Sequence, residues 1–185
     1  MRRAAHKGLV ILDRDGVINR DSREFVKTTD EWIPLAGSIE AIAKLSRAGY
    51  TVTVASNQSG LARGLFDRRA LRAMHRKLRK LVAAKGGRID RIVVCPHGPD
   101  DGCNCRKPRP GLLRRLARYY NADLAATPVI GDSLRDLEAA AEVGARPILV
   151  RTGNGRKAAA SLTGRLAAIE VFDDLAAAAA VLAKE

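Results

Sequence analysis

The 185-residue chain carries 33 Lys plus Arg against 20 Asp plus Glu, a formal net charge of +13, with 46% hydrophobic and 29% charged residues. That length suits one domain with a core of its own, and the composition excludes a disordered tail, a collagen-like repeat and a disulfide-stapled scaffold. So large a positive excess favours anionic partners, whether phosphate esters, nucleic acid or acidic surfaces.

At the N-terminus Arg2, Arg3 and Lys7 precede only Leu9–Leu12 before Asp13. A secretory signal needs a longer apolar core, so a cytoplasmic protein is expected. Residues 9–12 read as the first strand, ending in Asp13-Arg14-Asp15-Gly16-Val17. Residues two apart in an extended segment share a side, so Asp13 and Asp15 can face one pocket while Gly16 lets the backbone turn away. That suits a nucleophilic carboxylate beside an acid/base. A calcium loop would need an oxygen ligand and then Gly where Val17 and Ile18 stand, whereas an acidic loop capping the next element stays open. Residues 38–48 read as a helix with Ile39, Ile42, Ala43 and Leu45 on one face, Ser38 as N-cap and Gly49 as the stop. The strand at 51–55 runs into Ser56-Asn57-Gln58-Ser59-Gly60, a cluster that either holds a phosphate oxygen or forms an ordinary turn. The helix at 67–85 sets Leu71, Met74, Leu78, Leu81 and Val82 opposite a basic face.

The strand at 89–95 leads into a segment, residues 95–105, that holds all three cysteines, Cys95, Cys103 and Cys105, with His97 among them. In a reducing compartment such cysteines point to metal or free thiols rather than disulfides. Three thiolates and one imidazole are a full tetrahedral zinc set, which makes the site closed and structural. A fastened loop would also position Arg106 and Lys107, which follow Cys105 directly. His6 and His75 have no partners at ligand spacing and read as surface and helix residues. After a helix at 110–120, the strand at 128–130 ends in Gly131-Asp132-Ser133, with Asp136 one helical turn later. Asp132 and Asp136 share a face, and either Asp132 or Ser133 also suits a helix cap. A helix at 134–143, strands at 147–150 and 169–172 and a helix at 174–184 complete the chain. Residues 175–183 form its longest uncharged apolar run, too short to span a bilayer, so no membrane partner is expected.

This alternation predicts a single α/β domain over residues 1–185, with a doubly wound, mainly parallel, Rossmann-like sheet and the zinc loop inserted at 95–105. Ligands of such folds sit beyond the carboxyl ends of the strands, where these clusters fall. Together they compose one reaction. A carboxylate attacking a phosphate dianion must overcome their repulsion, which Mg²⁺ held by Asp13 and Asp132, with Lys107 nearby, would neutralise. All-oxygen ligands select Mg²⁺ over softer metals. Asp15 would protonate the leaving alkoxide and then activate water.

Asp13-x-Asp15-Gly16-Val17, then Ser56, then Lys107, then Gly131-Asp132-x₃-Asp136 resemble the four ordered motifs of the haloacid dehalogenase superfamily of phosphatases, over residues 9 to about 152. The resemblance implies Asp13 as nucleophile, Asp15 as acid/base, and Ser56 and Lys107 on the phosphoryl group. It also implies Mg²⁺ on Asp13, the Asp15 carbonyl and Asp132, with Asp136 behind the metal. The cysteine loop resembles the branch containing heptose-bisphosphate and histidinol-phosphate phosphatases, and Ser56-Asn57-Gln58-Ser59-Gly60-Leu61-Ala62-Arg63-Gly64 resembles the heptose side of it. That implies a small phosphorylated sugar as substrate, contacted by Ser56, Asn57, Gln58, Ser59, Arg106, Lys107 and Ser133, with Asp21, Ser22, Arg23 and Glu24 after the first motif. Only 40 residues separate Asp15 from Ser56 and 50 run from Asn57 to Arg106, which leaves no room for a cap domain. A capless, open site in a monomer is the expectation.

The basic face of the long helix (Arg68, Arg69, Arg72, Arg76, Lys77, Arg79 and Lys80) raises the alternative of a nucleic-acid-binding module. That helix has no aromatic residue to stack bases, and the whole chain has seven. No nucleic-acid partner is expected, although a polynucleotide-end phosphatase on the same scaffold remains an alternative to the sugar enzyme.

Overall fold

Strand β1 (Leu9–Leu12) is buried along its whole length, and its alternating side chains supply two cores at once. Val10 and Leu12 pack with helices α1 (Ser38–Arg47), α2 (Arg68–Ala84) and α6 (Leu175–Leu182) on one side of the sheet. Leu9 and Ile11 pack with α3 (Gly111–Tyr120) and α4 (Leu134–Glu142) on the other. Between the helices run β2 (Thr51–Asn57), β3 (Arg91–Cys95), β4 (Pro128–Gly131), β5 (Arg146–Val150) and β6 (Glu170–Phe172). The computed structural model describes residues 7–185; Arg2, Arg3 and His6 lie outside the described residues.

All five strand pairings are parallel, in the order β3-β2-β1-β4-β5-β6. Chain order therefore reverses around β1, where successive connections leave toward opposite edges and open a crevice beyond the strand ends. The carboxyl ends of β1, β2 and β4 meet there.

Several boundaries differ from the sequence expectation for local reasons. Strand β2 runs two residues further, because Ser56 and Asn57 stay in register with Val94 and Cys95. Strand β3 starts at Arg91 rather than 89, since Asp90 closes onto β2 with its amide on the Val52 carbonyl and its carboxylate on the Val52 amide. Helix α1 is capped by Gly37 in the left-handed region, φ 74°, not by Ser38. The Ser38 hydroxyl instead donates to the carbonyls of Ile18 and Leu35, tying the helix to the loop after β1. Residues 155–159, between two expected strands, form a short helix, α5 (Gly155–Ala159). On α2 the basic face is not wholly solvated. Lys77 donates to the carbonyls of Thr29 and Trp32 and lies over the Trp32 ring, and Arg79 donates to the carbonyl of Ile89.

His75, on the same helix, is pushed down to about 4 by burial and by the Arg14 and Arg79 charges, partly opposed by Asp15. The unfolded chain therefore binds more protons at this residue between about pH 4 and 6.5, so its contribution is complete above 6.5 and is lost as pH falls toward 4. Urea melts of His75→Gln and the native chain should diverge across that window by up to about 3 kcal/mol, with the native chain losing more on acidification. Parallel curves would show that His75 does not titrate this way.

Candidate active site

Beyond the β1 end lies a cavity of about 270 Å³. Asp13, Asp15, Ser56, Lys107 and Asp132 all line it, with Asn57, Gln58, Ser59, Arg106, Ser133, Asp136, Asp21 and Ser22. Arg23 and Glu24 are exposed and do not line it. At this loop the Glu24 amide bonds the Ser22 hydroxyl, and Phe25, at φ 66°, turns the chain so that Phe25 and Val26 face inward instead.

Asp13 leaves β1 with its amide on the Ile130 carbonyl of β4. One carboxylate oxygen accepts from Lys107 Nζ at 2.7 Å. Lys107 arrives from the far side of the cysteine loop and is 4% exposed, with Nζ also 2.5 Å from Asp136 Oδ1 and 2.7 Å from the Ala55 carbonyl. Its backbone is clamped to the end of β2 by a reciprocal pair: the Asn57 amide nitrogen donates to the Lys107 carbonyl, and the Lys107 amide donates to Asn57 Oδ1. Burial opposes the lysine charge, but Asp13 and Asp136 outweigh it and raise its pKa. Asp136 also accepts at Oδ2 from the Ser133 amide and hydroxyl, so Ser133 serves as the N-cap of α4 at the cavity rim.

Asp132 enters from the end of β4, held at Oδ2 by the Asn154 amide at 2.8 Å and side chain at 3.3 Å. Close approach is what the neighbouring glycines permit. A Cβ on Gly16 (φ 81°) or Gly153 (φ 55°) would sit 2.0 or 2.1 Å from Asp132 Oδ2. Burial pushes Asp13 well up, against Lys107 and with the help of Asp136, Asp132 and Asp15. Burial and Asp136 take Asp132 to about 6.

The carboxylate oxygens of Asp13, Asp132 and Asp136 lie within 4.8 Å of one another. Among the described residues Asp136 has both oxygens engaged, whereas Asp13 and Asp132 each keep one without a hydrogen bond. The all-oxygen donor set that Asp13 and Asp132 offer fits a hard divalent cation.

Asp15 points the other way along the wall. Burial opposes its charge, but the Arg14 guanidinium and hydrogen bonds from Arg14, Asn19 and Gln58 hold its carboxyl below the usual range. Ser56 is the penultimate residue of β2, with its hydroxyl accepting from Gln58 Nε2 at 2.7 Å.

At the far edge Cys95, His97, Cys103 and Cys105 form a second cluster. Their S–S separations are 3.2–3.6 Å, and His97 Nδ1 is 3.6 and 3.3 Å from Cys95 and Cys105. The edges of a Zn–thiolate tetrahedron are about 3.8 Å, so the set is near ligating geometry. Burial pushes the Cys95 thiol up to about 12. At Cys103 burial is outweighed by hydrogen bonding, first from the Arg106 amide, and its pKa falls to about 7. Three sulfurs this close to one another and to an imidazole nitrogen would ionise together only around a shared cation. Arg106 adds a donation to the His97 carbonyl at 3.3 Å, coupling the loop to the cavity.

Sequence reasoning did not single out Arg14, Arg63, Arg135 or Asn154 as site residues, yet all line the cavity. Asn154 lies just beyond β5, so the rule that ligands sit at strand ends reaches it. No periodicity marks the three arginines, whose long side chains fold to their places.

Comparison with known proteins agrees with this geometry. A family model described as polynucleotide kinase 3 phosphatase matches residues 9–134, and one described as HAD-hydrolase-like matches residues 104–178. The chain is 58% identical, over 96% of its length and 98% of the relative's, to a D-glycero-beta-D-manno-heptose-1,7-bisphosphate 7-phosphatase of Bordetella bronchiseptica. It is 56% identical, over 95% and 98%, to a protein of the same description from Pseudomonas aeruginosa. A crystal structure of the D,D-heptose 1,7-bisphosphate phosphatase from B. bronchiseptica, complexed with magnesium and phosphate, superposes with a TM-score of 0.91 over 95% of this chain and 98% of the other.

Proposed function

The chain belongs to the D-glycero-beta-D-manno-heptose-1,7-bisphosphate 7-phosphatase family of HAD-like hydrolases, and from that premise we propose how its cavity works. It is a phosphomonoesterase that removes the 7-phosphate of heptose 1,7-bisphosphate. The observation that supports this best is the convergence of Asp13, Asp15, Ser56, Lys107 and Asp132 on one cavity in a chain so similar to those relatives. The polynucleotide family model covers the part of the chain that carries this catalytic scaffold, whereas the heptose relatives match nearly the whole of it.

In the first step an Asp13 carboxylate oxygen attacks phosphorus, the bond from phosphorus to the sugar oxygen breaks, and Asp15, which this step needs protonated although Arg14, Asn19 and Gln58 favour its ionised form, gives that oxygen a proton. In the second, Asp15 takes a proton from water as the water oxygen attacks phosphorus, the Asp13–phosphate bond breaks, and inorganic phosphate leaves. Ser56 and Lys107 hold phosphoryl oxygens, and Lys107 keeps Asp13 aimed. Asp13, the Asp15 carbonyl and Asp132 would hold Mg²⁺, with Asp136 behind them, and the bound ion would neutralise charge on the phosphoryl group. Cys95, His97, Cys103 and Cys105 would hold a structural Zn²⁺, fixing the segment that carries Arg106. Arg106, Ser133 and the wall at Asp21 and Ser22 contact the sugar phosphate, with Asn57, Gln58 and Ser59 at the β2 end. The reading places all of this in a single capless unit that acts as a monomer in the cytoplasm. Among the described residues no helix is long and apolar enough to cross a membrane.

Phosphate release with Mg²⁺ from heptose 1,7-bisphosphate, histidinol phosphate and a 3′-phosphorylated oligonucleotide tests the substrate. The heptose should win in kcat/KM by ~100-fold or more, about 2.7 kcal/mol of discrimination. A preference for histidinol phosphate or for the oligonucleotide would move the chain to that substrate.

A further inference from the structure

Between the two carboxylates of the first motif stands Arg14, 1% exposed although it is an arginine beside an open cavity. Its Nε donates to both oxygens of Asp15 at 3.1 and 3.2 Å, and its NH2 donates to Asp15 Oδ1 at 2.9 Å and to Gln58 Oε1 at 3.1 Å. Gln58 returns two donations through Nε2, to Asp15 Oδ2 and to the Ser56 hydroxyl, both at 2.7 Å. Asn19 completes the hold on Asp15 Oδ1 at 2.8 Å. Behind this, Arg14 NH1 and His75 Nε2 are buried without hydrogen-bond partners among the described residues.

A buried ion pair is weak evidence for stability, because desolvation offsets most of its attraction; geometry is its better-attested use. We propose that Arg14 is a positioning residue. Through its planar fork it fixes the Asp15 carboxylate in the cavity wall, and through Gln58 it ties that orientation to Ser56, so proton carrier and phosphoryl holder move as one unit. Lysine donates from a single nitrogen and cannot reproduce the planar fork that fixes the orientation of Asp15. The inference rests on the reading of Asp15 as the proton carrier.

Arg14→Met and Arg14→Lys, with Gln58→Met as a variant that leaves every charge in place, test it, each checked for folding by circular dichroism. With heptose 1,7-bisphosphate, kcat of the Arg14 variants should fall on the order of 100-fold while KM stays within about threefold, and Gln58→Met should show a smaller loss. With p-nitrophenyl phosphate, whose leaving group needs no proton, the first turnover should be spared. Rapid mixing should then show a nitrophenolate burst stoichiometric with enzyme, followed by a slow steady state. Asp15→Asn run alongside should give the same burst. A burst in Asp15→Asn that is missing from the folded Arg14 and Gln58 variants overturns the inference alone, as do equal first-turnover losses on both substrates or no loss. If Asp15→Asn itself gives no burst, the reading of Asp15 falls and the inference falls with it.

Discussion

Asp13→Asn should reduce phosphate release on the order of 10⁴-fold or more while leaving the thermal melt intact. Deleting a nucleophile removes the covalent route, and residual rates then come only from binding and electrostatics. The amide fits the volume of the carboxylate and can still accept from Lys107 Nζ, now 2.7 Å away. A variant that still turns over at a tenth of the native rate would show that Asp13 is not the nucleophile.

Stripping metal from the cysteine cluster should have the second largest effect, this time on stability and then on substrate recognition. Structural zinc contributes ~10–16 kcal/mol in small peptides. If about a third of that reaches the whole domain, the melting temperature should fall by about 7–21 °C, since each kcal/mol moves a domain of this size by about 2–4 °C. The kinetic loss should fall mainly on KM. Arg106 leans on the His97 carbonyl and loses its support, whereas Lys107 keeps its clamp from Asn57 and its pairs with Asp13 and Asp136. A chelator that removes zinc, verified by metal analysis, without moving the melt would remove zinc from the account.

Much of the site was legible because the fold class fixes where to look. Strand runs such as Leu9–Leu12 and 128–130 are uniformly apolar, and the first polar side chains past them had to stand at the sheet's carboxyl edge. Hence position marked Asp13, the Ser56-to-Gly60 cluster and Asp132 as candidates, the ordered motifs together gave them roles, and the clustering of the cysteines pointed to Cys95, His97, Cys103 and Cys105 as one set. What escaped was decided by side-chain reach. The two-residue period put Arg14 on the opposite side from Asp13 and Asp15, yet its long chain returns to Asp15. Ser38 had the chemistry of an N-cap, but the left-handed backbone at Gly37 took that place and freed its hydroxyl for Ile18 and Leu35. His75 read as an ordinary helix residue, and only the packing of α2 against the strand ends puts it near Arg14 and Asp15. After the first motif, Phe25 rather than Arg23 or Glu24 reaches the cavity, because a positive φ at a non-glycine residue carries no pattern a sequence displays.

The most direct test is to quench the enzyme in acid during turnover of heptose 1,7-bisphosphate with Mg²⁺, reduce it with borohydride and map the peptides by mass. An acyl phosphate on the side chain of Asp13 is reduced to the alcohol, so the peptide spanning the first motif should carry that change at residue 13 and no other carboxylate should. An unmodified Asp13 in enzyme quenched while turning over, with phosphate still released, would mean that water attacks the substrate directly and would contradict the account.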